Sequence, residues 1–200
     1  MANNLPQGPA AGSGIRGAFI DRDGVIIEER GYAYRVADFV LLPGAVVALR
    51  ALKDAGFRLV VITNQSGIAR GLYSEAEYLA FTAHMQARLL SGGVPLDAVE
   101  YCPHLPDATV ARYRLACDCR KPRPAMLQRA AAKLNIDVGE SILVGDRRTD
   151  IEAGRAAGVG RCFLVRSGQA VGEQDETLAD GVYDDLAACV RRLLAQARPI

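Results

Sequence analysis

Short, continuous apolar runs punctuate the chain, and each stops at a polar or glycine-containing turn. Ala18–Ile20 ends at Asp21-Arg22-Asp23-Gly24, and Leu59–Ile62 ends at Thr63-Asn64-Gln65-Ser66-Gly67. Val99–Tyr101, Ile142–Val144 (ending at Gly145-Asp146) and Cys162–Val165 are further runs of this kind. Runs without in–out alternation read as strands buried on both faces. Between them, apolar residues recur at helical spacing. One set is Ala45, Ala48, Leu49 and Leu52, with Arg50, Lys53 and Asp54 opposite and Gly56 as the stop. Tyr78, Phe81, Met85 and Leu89 follow a Ser74-x-x-Glu77 capping box. Leu127, Ala130, Ala131 and Leu134 mark another helix, Asp150–Ala157 the next, and Leu186, Cys189, Val190 and Leu193 the last.

This alternation predicts an α/β fold: a Rossmann-like parallel sheet with helices on both faces. Ligands of such sheets bind outside the carboxyl ends of the strands, where the polar turns above are gathered. No internal repeat or interdomain linker interrupts the pattern. The expectation is a flexible tail over residues 1–15, rich in Gly, Pro, Ala and Asn, followed by a single domain over 16–200. Gly12, Gly14 and Gly17 match G-x-G-x-x-G, but they precede a strand instead of following one, so they do not predict a dinucleotide site.

Composition narrows the partners. The 200 residues carry 24 basic and 23 acidic side chains, a formal charge of +1. Near-neutrality argues against nucleic acid or an anionic membrane surface as partner. The longest strongly apolar stretch, Phe39–Leu49, contains Pro43 and Gly44 and is too short to span a bilayer. With no leader-like pattern at the N-terminus, a cytoplasmic, reducing location is expected. The charge is unevenly spread: residues 112–129 are basic and 173–185 acidic, the latter read as solvated surface.

Asp21 and Asp23 lie two apart in a segment read as extended, which would project both to one side and Arg22 away. Converging carboxylates need a cation, a shared proton or water. Asp146 and Asp150 add acid from another strand end, and an all-oxygen set of this kind suits Mg²⁺. Asp150 alone reads equally well as a helix cap. Thr63 offers a hydroxyl, the Asn64–Gly67 turn offers N–H donors, and Lys121 in Cys-Arg-Lys-Pro offers a point charge. These groups suit a phosphoryl substrate. No G-x-x-x-x-G-K-[ST] loop is present, which excludes a P-loop kinase.

Together these residues resemble the four motifs of the haloacid dehalogenase-like phosphatases: Asp21-x-Asp23-Gly24, Thr63, Lys121 and Gly145-Asp146-x-x-x-Asp150. Longer stretches (FIDRDGVI, Gly31-Tyr32, VVITNQSGIARG, YCPH, CDCRKPRPAML and VGD) resemble the heptose bisphosphate phosphatases within that superfamily. The resemblance implies an essentially capless fold and a small sugar bisphosphate as substrate, in the synthesis of heptose-containing glycans such as lipopolysaccharide. Asp21 would be nucleophile and Mg²⁺ ligand, and Asp23 general acid/base and ligand through its carbonyl. Asp146 would be the third ligand, with Thr63 and Lys121 steadying the phosphoryl group. Glu29, Arg30, Gly31, Tyr32, Thr63, Asn64, Gln65, Ser66, Arg120, Lys121 and Arg147 would fall at substrate-contacting positions. Arg147 stands where the family pattern has lysine, which exchanges a point charge for a planar fork. Histidinol-phosphate phosphatase, which shares the fold and a zinc loop, is the nearest alternative. A non-catalytic zinc-stabilised binding module is the alternative of another class. The compact, capless family makes a monomer the expectation.

Five cysteines complete the picture. Cys102-Pro-His104 and Cys117-Asp-Cys119 supply three sulfurs and an imidazole, a donor set for closed tetrahedral Zn²⁺. The resemblance implies a zinc loop over these positions, 102–119, structural in role and delivering Arg120 and Lys121 to the site. Cys162 and Cys189 fall on apolar faces and read as core thiols. His84 has no metal-ligand spacing and reads as a surface histidine.

Overall fold

The computed structural model describes residues 14–170 and 172–196. Six strands, β1 (Ile15–Ile20), β2 (Arg58–Asn64), β3 (Ala98–Cys102), β4 (Ile136–Gly145), β5 (Arg161–Val165) and β6 (Gly181–Tyr183), form one sheet in the order β3-β2-β1-β4-β5-β6. Every neighbouring pair is parallel. The helices are α1 (Ala45–Asp54), α2 (Ser66–Ala69), α3 (Glu75–Ser91), α4 (Ala125–Leu134), α5 (Arg148–Ala157), α6 (Glu173–Glu176) and α7 (Leu186–Gln196).

Strand periodicity divides the core into two layers. Ala18, Ile20, Leu59, Val61, Ile142, Val144, Phe163 and Val165 pack with α1, α3 and α7 on one face. Their alternates Phe19, Val60, Ile62, Leu143, Cys162 and Leu164 pack with α4 and α5 on the other. Both faces are dry, which is why the runs are continuously apolar. Cys162 and Cys189 are fully buried in these layers. His84 is half-buried, its ring edge-on to Phe39 at 5.1 Å between centroids. Among the described residues, no helix is long and apolar enough to cross a membrane.

Several elements depart from the sequence expectation. Residues 1–13 lie outside the described set, and β1 already begins at Ile15, inside the expected tail. β4 starts at Ile136, because Ile15 and Arg16 pair with Ile136 and Asp137 before a register shift. The shift is filled by a side chain, as the Gly17 N–H donates to Ser141 Oγ (2.8 Å). β6 has three residues and no readable pattern, yet it extends the sheet beyond β5. The acidic segment is more than solvated surface. Arg166 pairs with Glu176. Asp180 accepts from Arg155 (2.8 Å) and from the Cys162 N–H (2.6 Å), closing β5 against the turn that leads to β6.

The chain runs outward from β1 through β2 to β3, returns to β4 beside β1, and then runs the other way. The order therefore reverses between β1 and β4, and the crevice at their carboxyl ends is the expected ligand site of such a sheet.

Candidate active site

β1 and β4 end side by side, since the Asp21 N–H still donates to Val144 O (3.0 Å). Beyond that bond the chain folds into a tight turn, with the amides of Ile26 and Ile27 returning to Arg22 O. Gly24 makes the turn with φ +78°, and a Cβ there would lie 2.5 Å from an Asp146 carboxylate oxygen. Only glycine satisfies both the left-handed backbone and the close approach.

The turn corrects one expectation. Arg22 does not point away from Asp23, because residues 22–27 fold into a turn, while Asp21 and Asp23 both face one cavity. Asp23 turns its carboxylate onto the guanidinium of Arg22, with Nε and Nη2 contacts of 3.0–3.2 Å. Arg22, 1% exposed, lies against the faces of Phe81 and Tyr78.

Asp21, Asp146 and Asp150 instead converge, each offering an oxygen within 4.8 Å of the others. Lys121, 3% exposed, enters this cluster. Its Nζ lies 2.9 Å from Asp21 Oδ1 and 2.6 Å from Asp150 Oδ1, and donates to Ile62 O (2.9 Å). Asp150 takes both of its possible parts: its other oxygen accepts from the Arg147 N–H at the start of α5 (3.0 Å). Burial drives the Asp21 carboxyl well above its ordinary pKa, against the pull of Lys121 and with help from Asp150 and Asp146. Burial and then Asp150 push Asp146 up to about 6. Lys121 moves up despite its burial, because Asp150 and Asp21 hold its charge.

The cluster fits a divalent cation. Asp146 Oδ1 is buried without a hydrogen-bond partner, while Oδ2 accepts from the Gln169 N–H (2.9 Å). A buried carboxylate oxygen with no hydrogen bond, only Arg147 Nε at 3.8 Å, beside a second acid and with Asp150 already committed to Lys121, suits Mg²⁺ on Asp21 and Asp146.

A cavity of ≈ 430 Å³ opens above this floor. Asp21, Asp23, Glu29, Gly31, Tyr32, Thr63, Asn64, Gln65, Ser66, Arg120, Lys121 and Arg147 all line it. Arg30 does not: it pairs with Glu28 on the surface (2.7 Å). Asn64 and Gln65 reach the cavity wall, but their amides serve the protein. Asn64 Nδ2 donates to Lys121 O and Oδ1 accepts from the Lys121 N–H, both at 3.1 Å, so the segment carrying Lys121 is docked onto the end of β2. Arg147 pairs with Glu29 across the mouth (2.8 Å). Arg120 keeps one buried guanidinium nitrogen without a partner. Tyr73, Arg148, Thr149 and Gln169 also line the cavity and carried no sequence signal. They arrive from helix starts and loops whose placement only the fold decides.

Lys121 follows the cysteine cluster directly. Cys102, His104, Cys117 and Cys119 offer their ligand atoms within 4.8 Å of one another. The sulfurs lie 3.2–3.4 Å apart, and His104 Nδ1 lies 3.4 Å from Cys119 Sγ and 3.8 Å from Cys102 Sγ. A tetrahedral Zn²⁺ with Zn–S of about 2.3 Å places its sulfurs about 3.8 Å apart, so slight expansion accommodates the ion. The cysteines are free thiols, not disulfides.

Comparison with known proteins agrees with this geometry. Residues 118–189 match the HAD-hydrolase-like family. The chain is 43% identical over 178 residues to a D-glycero-beta-D-manno-heptose-1,7-bisphosphate 7-phosphatase of Yersinia pestis, covering 89% of this chain and 95% of that one. It is 44% identical to a D-glycero-alpha-D-manno-heptose-1,7-bisphosphate 7-phosphatase of Photorhabdus laumondii, covering 81% and 88%. The D,D-heptose 1,7-bisphosphate phosphatase of B. bronchiseptica, solved with magnesium and phosphate, superposes with a TM-score of 0.76 at 32% identity, covering 90% and 99%. The chain therefore belongs to the heptose-1,7-bisphosphate 7-phosphatase family of haloacid dehalogenase-like hydrolases.

Proposed function

We infer that the protein is a Mg²⁺-dependent phosphomonoesterase that removes the C7 phosphate of D-glycero-D-manno-heptose 1,7-bisphosphate. Its place is the synthesis of activated heptose for lipopolysaccharide or related glycans in the cytoplasm, and it works as a monomer. The observation that carries this reading is Asp21, a carboxylate at the floor of a cavity lined by side chains of both charges, held at 2.9 Å by Lys121 and facing Asp146. The family membership supplies the substrate.

Asp21 attacks phosphorus as a carboxylate, forming an acyl phosphate while the P–O7 ester bond breaks. Asp23 gives its proton to the departing sugar oxygen and then takes one from the water that opens the acyl phosphate, releasing inorganic phosphate. Lys121 and Thr63 stand at the floor to stabilise the equatorial oxygens. Asp21, Asp146 and the Asp23 carbonyl would hold Mg²⁺, which when bound supplies positive charge to the phosphoryl oxygens. Arg120, Arg147, Glu29, Gly31, Tyr32 and Ser66 line the wall where the sugar and its second phosphate would rest. Cys102, His104, Cys117 and Cys119 would hold Zn²⁺, a structural clip on the segment that presents Lys121.

The deciding measurement is kcat/KM for both heptose bisphosphate anomers and for histidinol phosphate, with and without Mg²⁺. A preference for a heptose bisphosphate of at least about tenfold (~1.4 kcal/mol) is expected. A preference for histidinol phosphate would reassign the substrate, and no Mg²⁺-dependent phosphate release would leave only a binding module. Asp21→Asn is expected to abolish turnover together with the acid-stable ³²P label on the protein; activity near wild type in that variant would remove Asp21 as nucleophile.

A further inference from the structure

Gln65 lies under the cavity, 2% exposed, at the centre of a closed polar network. Its Nε2 donates to Thr63 Oγ1 (2.7 Å) and to Asp23 Oδ2 (3.1 Å). Its Oε1 accepts from Arg22 Nη2 (3.1 Å) and from the Tyr73 hydroxyl (2.7 Å). The amide orientation follows from its partners: a guanidinium only donates, so it must face the oxygen, which leaves the nitrogen toward Thr63 and Asp23. Every hydrogen-bonding position of the side chain is then used inside the protein.

That arrangement has a consequence for Thr63, which is 1% exposed. A hydroxyl carries one proton. With Gln65 donating to Oγ1, the Thr63 proton is released from that contact and is free to point at a phosphoryl oxygen. The same amide holds one oxygen of Asp23 while Arg22 holds both. Arg22 is in turn fixed by the rings of Phe81 and Tyr78, and Tyr73 by stacking on Tyr34 with centroids 5.0 Å apart.

We propose that Gln65 is a positioning residue of the phosphatase reaction, which sets the hydrogen-bond polarity of Thr63 and the orientation of Asp23, and is not a substrate contact. Arg22 and Tyr73 lock its amide. The proposal rests on the phosphatase reading of the site, so wild-type turnover of heptose bisphosphate with Mg²⁺ is measured first; its absence would strike that reading and not this one.

Gln65→Glu tests the inference. The variant keeps the shape and the acceptor for Arg22 and Tyr73 but has no proton for Thr63, whose hydroxyl then turns toward the new carboxylate. The expected result is a loss in kcat of about 100-fold, the lower end of the scale for losing one donor to a transition-state oxygen, with KM within about threefold. A double-mutant cycle with Thr63→Val separates positioning from general damage. The two changes should be non-additive, the double variant being faster than the product of the two single losses, because the part carried through Thr63 is already gone while the part carried through Asp23 remains. A kcat within threefold of wild type, a loss carried by KM, or independent multiplicative losses would overturn the proposal. If Gln65→Glu fails to fold by circular dichroism, Tyr73→Phe decides. Removing one lock should lower kcat several-fold at unchanged KM, and an unchanged kcat would overturn the proposal.

Discussion

Gly24 shows how much one residue can carry. Its φ of +78° admits the turn after β1, and its missing side chain leaves room for the Asp146 carboxylate. Gly24→Ala should cost about 1–2 kcal/mol from the left-handed backbone alone, and more from the collision. The expected outcome is a loss of activity beyond 100-fold, on the scale of a displaced catalytic constellation, with a lower urea midpoint; turnover and equilibrium unfolding read the two effects. At this scale the sequence was partly legible. Asp21, Lys121 and Asp146 stand out because each follows an apolar run or a cysteine pair, and they meet as that pattern suggests. The pairing of Asp23 with Arg22 was not legible, because a two-residue spacing sends the middle residue away only in an extended chain, and the turn at Gly24 ends the extension. Nor could spacing show that Asn64 and Gln65 spend their amides on Lys121 and Asp23.

Among elements, Asp97 is the joint of one sheet edge. It accepts from Lys53 Nζ of α1 (2.7 Å), from the Leu59 N–H of β2 (2.8 Å) and from Arg58 (2.9 Å), just before β3 begins. Burial alone would raise its pKa, but the Lys53, Leu59 and Arg58 bonds outweigh burial and hold it below the usual carboxylate range. A depressed folded-state pKa contributes stability above the unfolded value near ~3.9 and loses it as pH falls through the folded value. Asp97→Asn should therefore destabilise by about 1 kcal/mol at pH 7, since its partners are partly exposed. The gap should close as pH falls through the depressed folded-state value. Urea unfolding of both proteins across pH 2.5–7 checks the sign.

The segment from Cys102 to Lys121 is the second joint. Beyond the end of β3 it carries a short turn of 3-10 helix at Ala111–Tyr113 and an isolated bridge between Leu105 and Arg114. Tyr113 of this segment and Tyr101 of β3 both donate to Glu75 at the start of α3 (2.9 and 2.5 Å), so the segment is tied to the body near the cysteine cluster. Cys119→Ser should remove bound zinc, measured by elemental analysis, and lower kcat by at least about tenfold through Lys121, since small misplacements of a catalytic group are costly. Amide exchange should rise across 102–119 while β1 and β4 keep their protection. The other strands and the five long helices were readable because burial on both faces makes a strand a continuous apolar run and burial on one face gives a helix period 3.6. β6 was not, because three half-buried residues carry too short a pattern to register.

For the whole molecule, the balance is between stability and a charged floor. Asp21 and Asp146 both carry raised pKa values because burial and neighbouring acids disfavour their charge. A cation that binds only the folded state stabilises it by mass action. Adding Mg²⁺ at about 100 times its Kd should contribute about 2.7 kcal/mol, or roughly 5–10 °C in Tm for a chain of this size. Asp146→Asn should raise the Tm in EDTA, abolish the Mg²⁺-dependent shift and abolish activity. Calorimetry in EDTA and in Mg²⁺ reads both effects, and a retained Mg²⁺ shift in the variant would remove Asp146 from the metal set.

By itself the sequence determined what could be encoded locally. Continuous apolar runs alternating with amphipathic helices specify a parallel sheet covered on both faces, and polar turns at the run ends say where chemistry can sit. It also determined the donor types, carboxylates for a hard cation and thiolates with imidazole for zinc. The tertiary structure alone decided which groups face each other. The reversal of strand order between β1 and β4 brings Asp21 to Asp146 across 124 intervening residues. The return of α5 places Asp150 on Lys121. The network around Gln65 joins β1, β2 and the turn before α3. Hydrogen-bond polarity and charge pairing depend on distances across the fold. Periodicity records only whether a position is inside or outside, and says nothing of its partner.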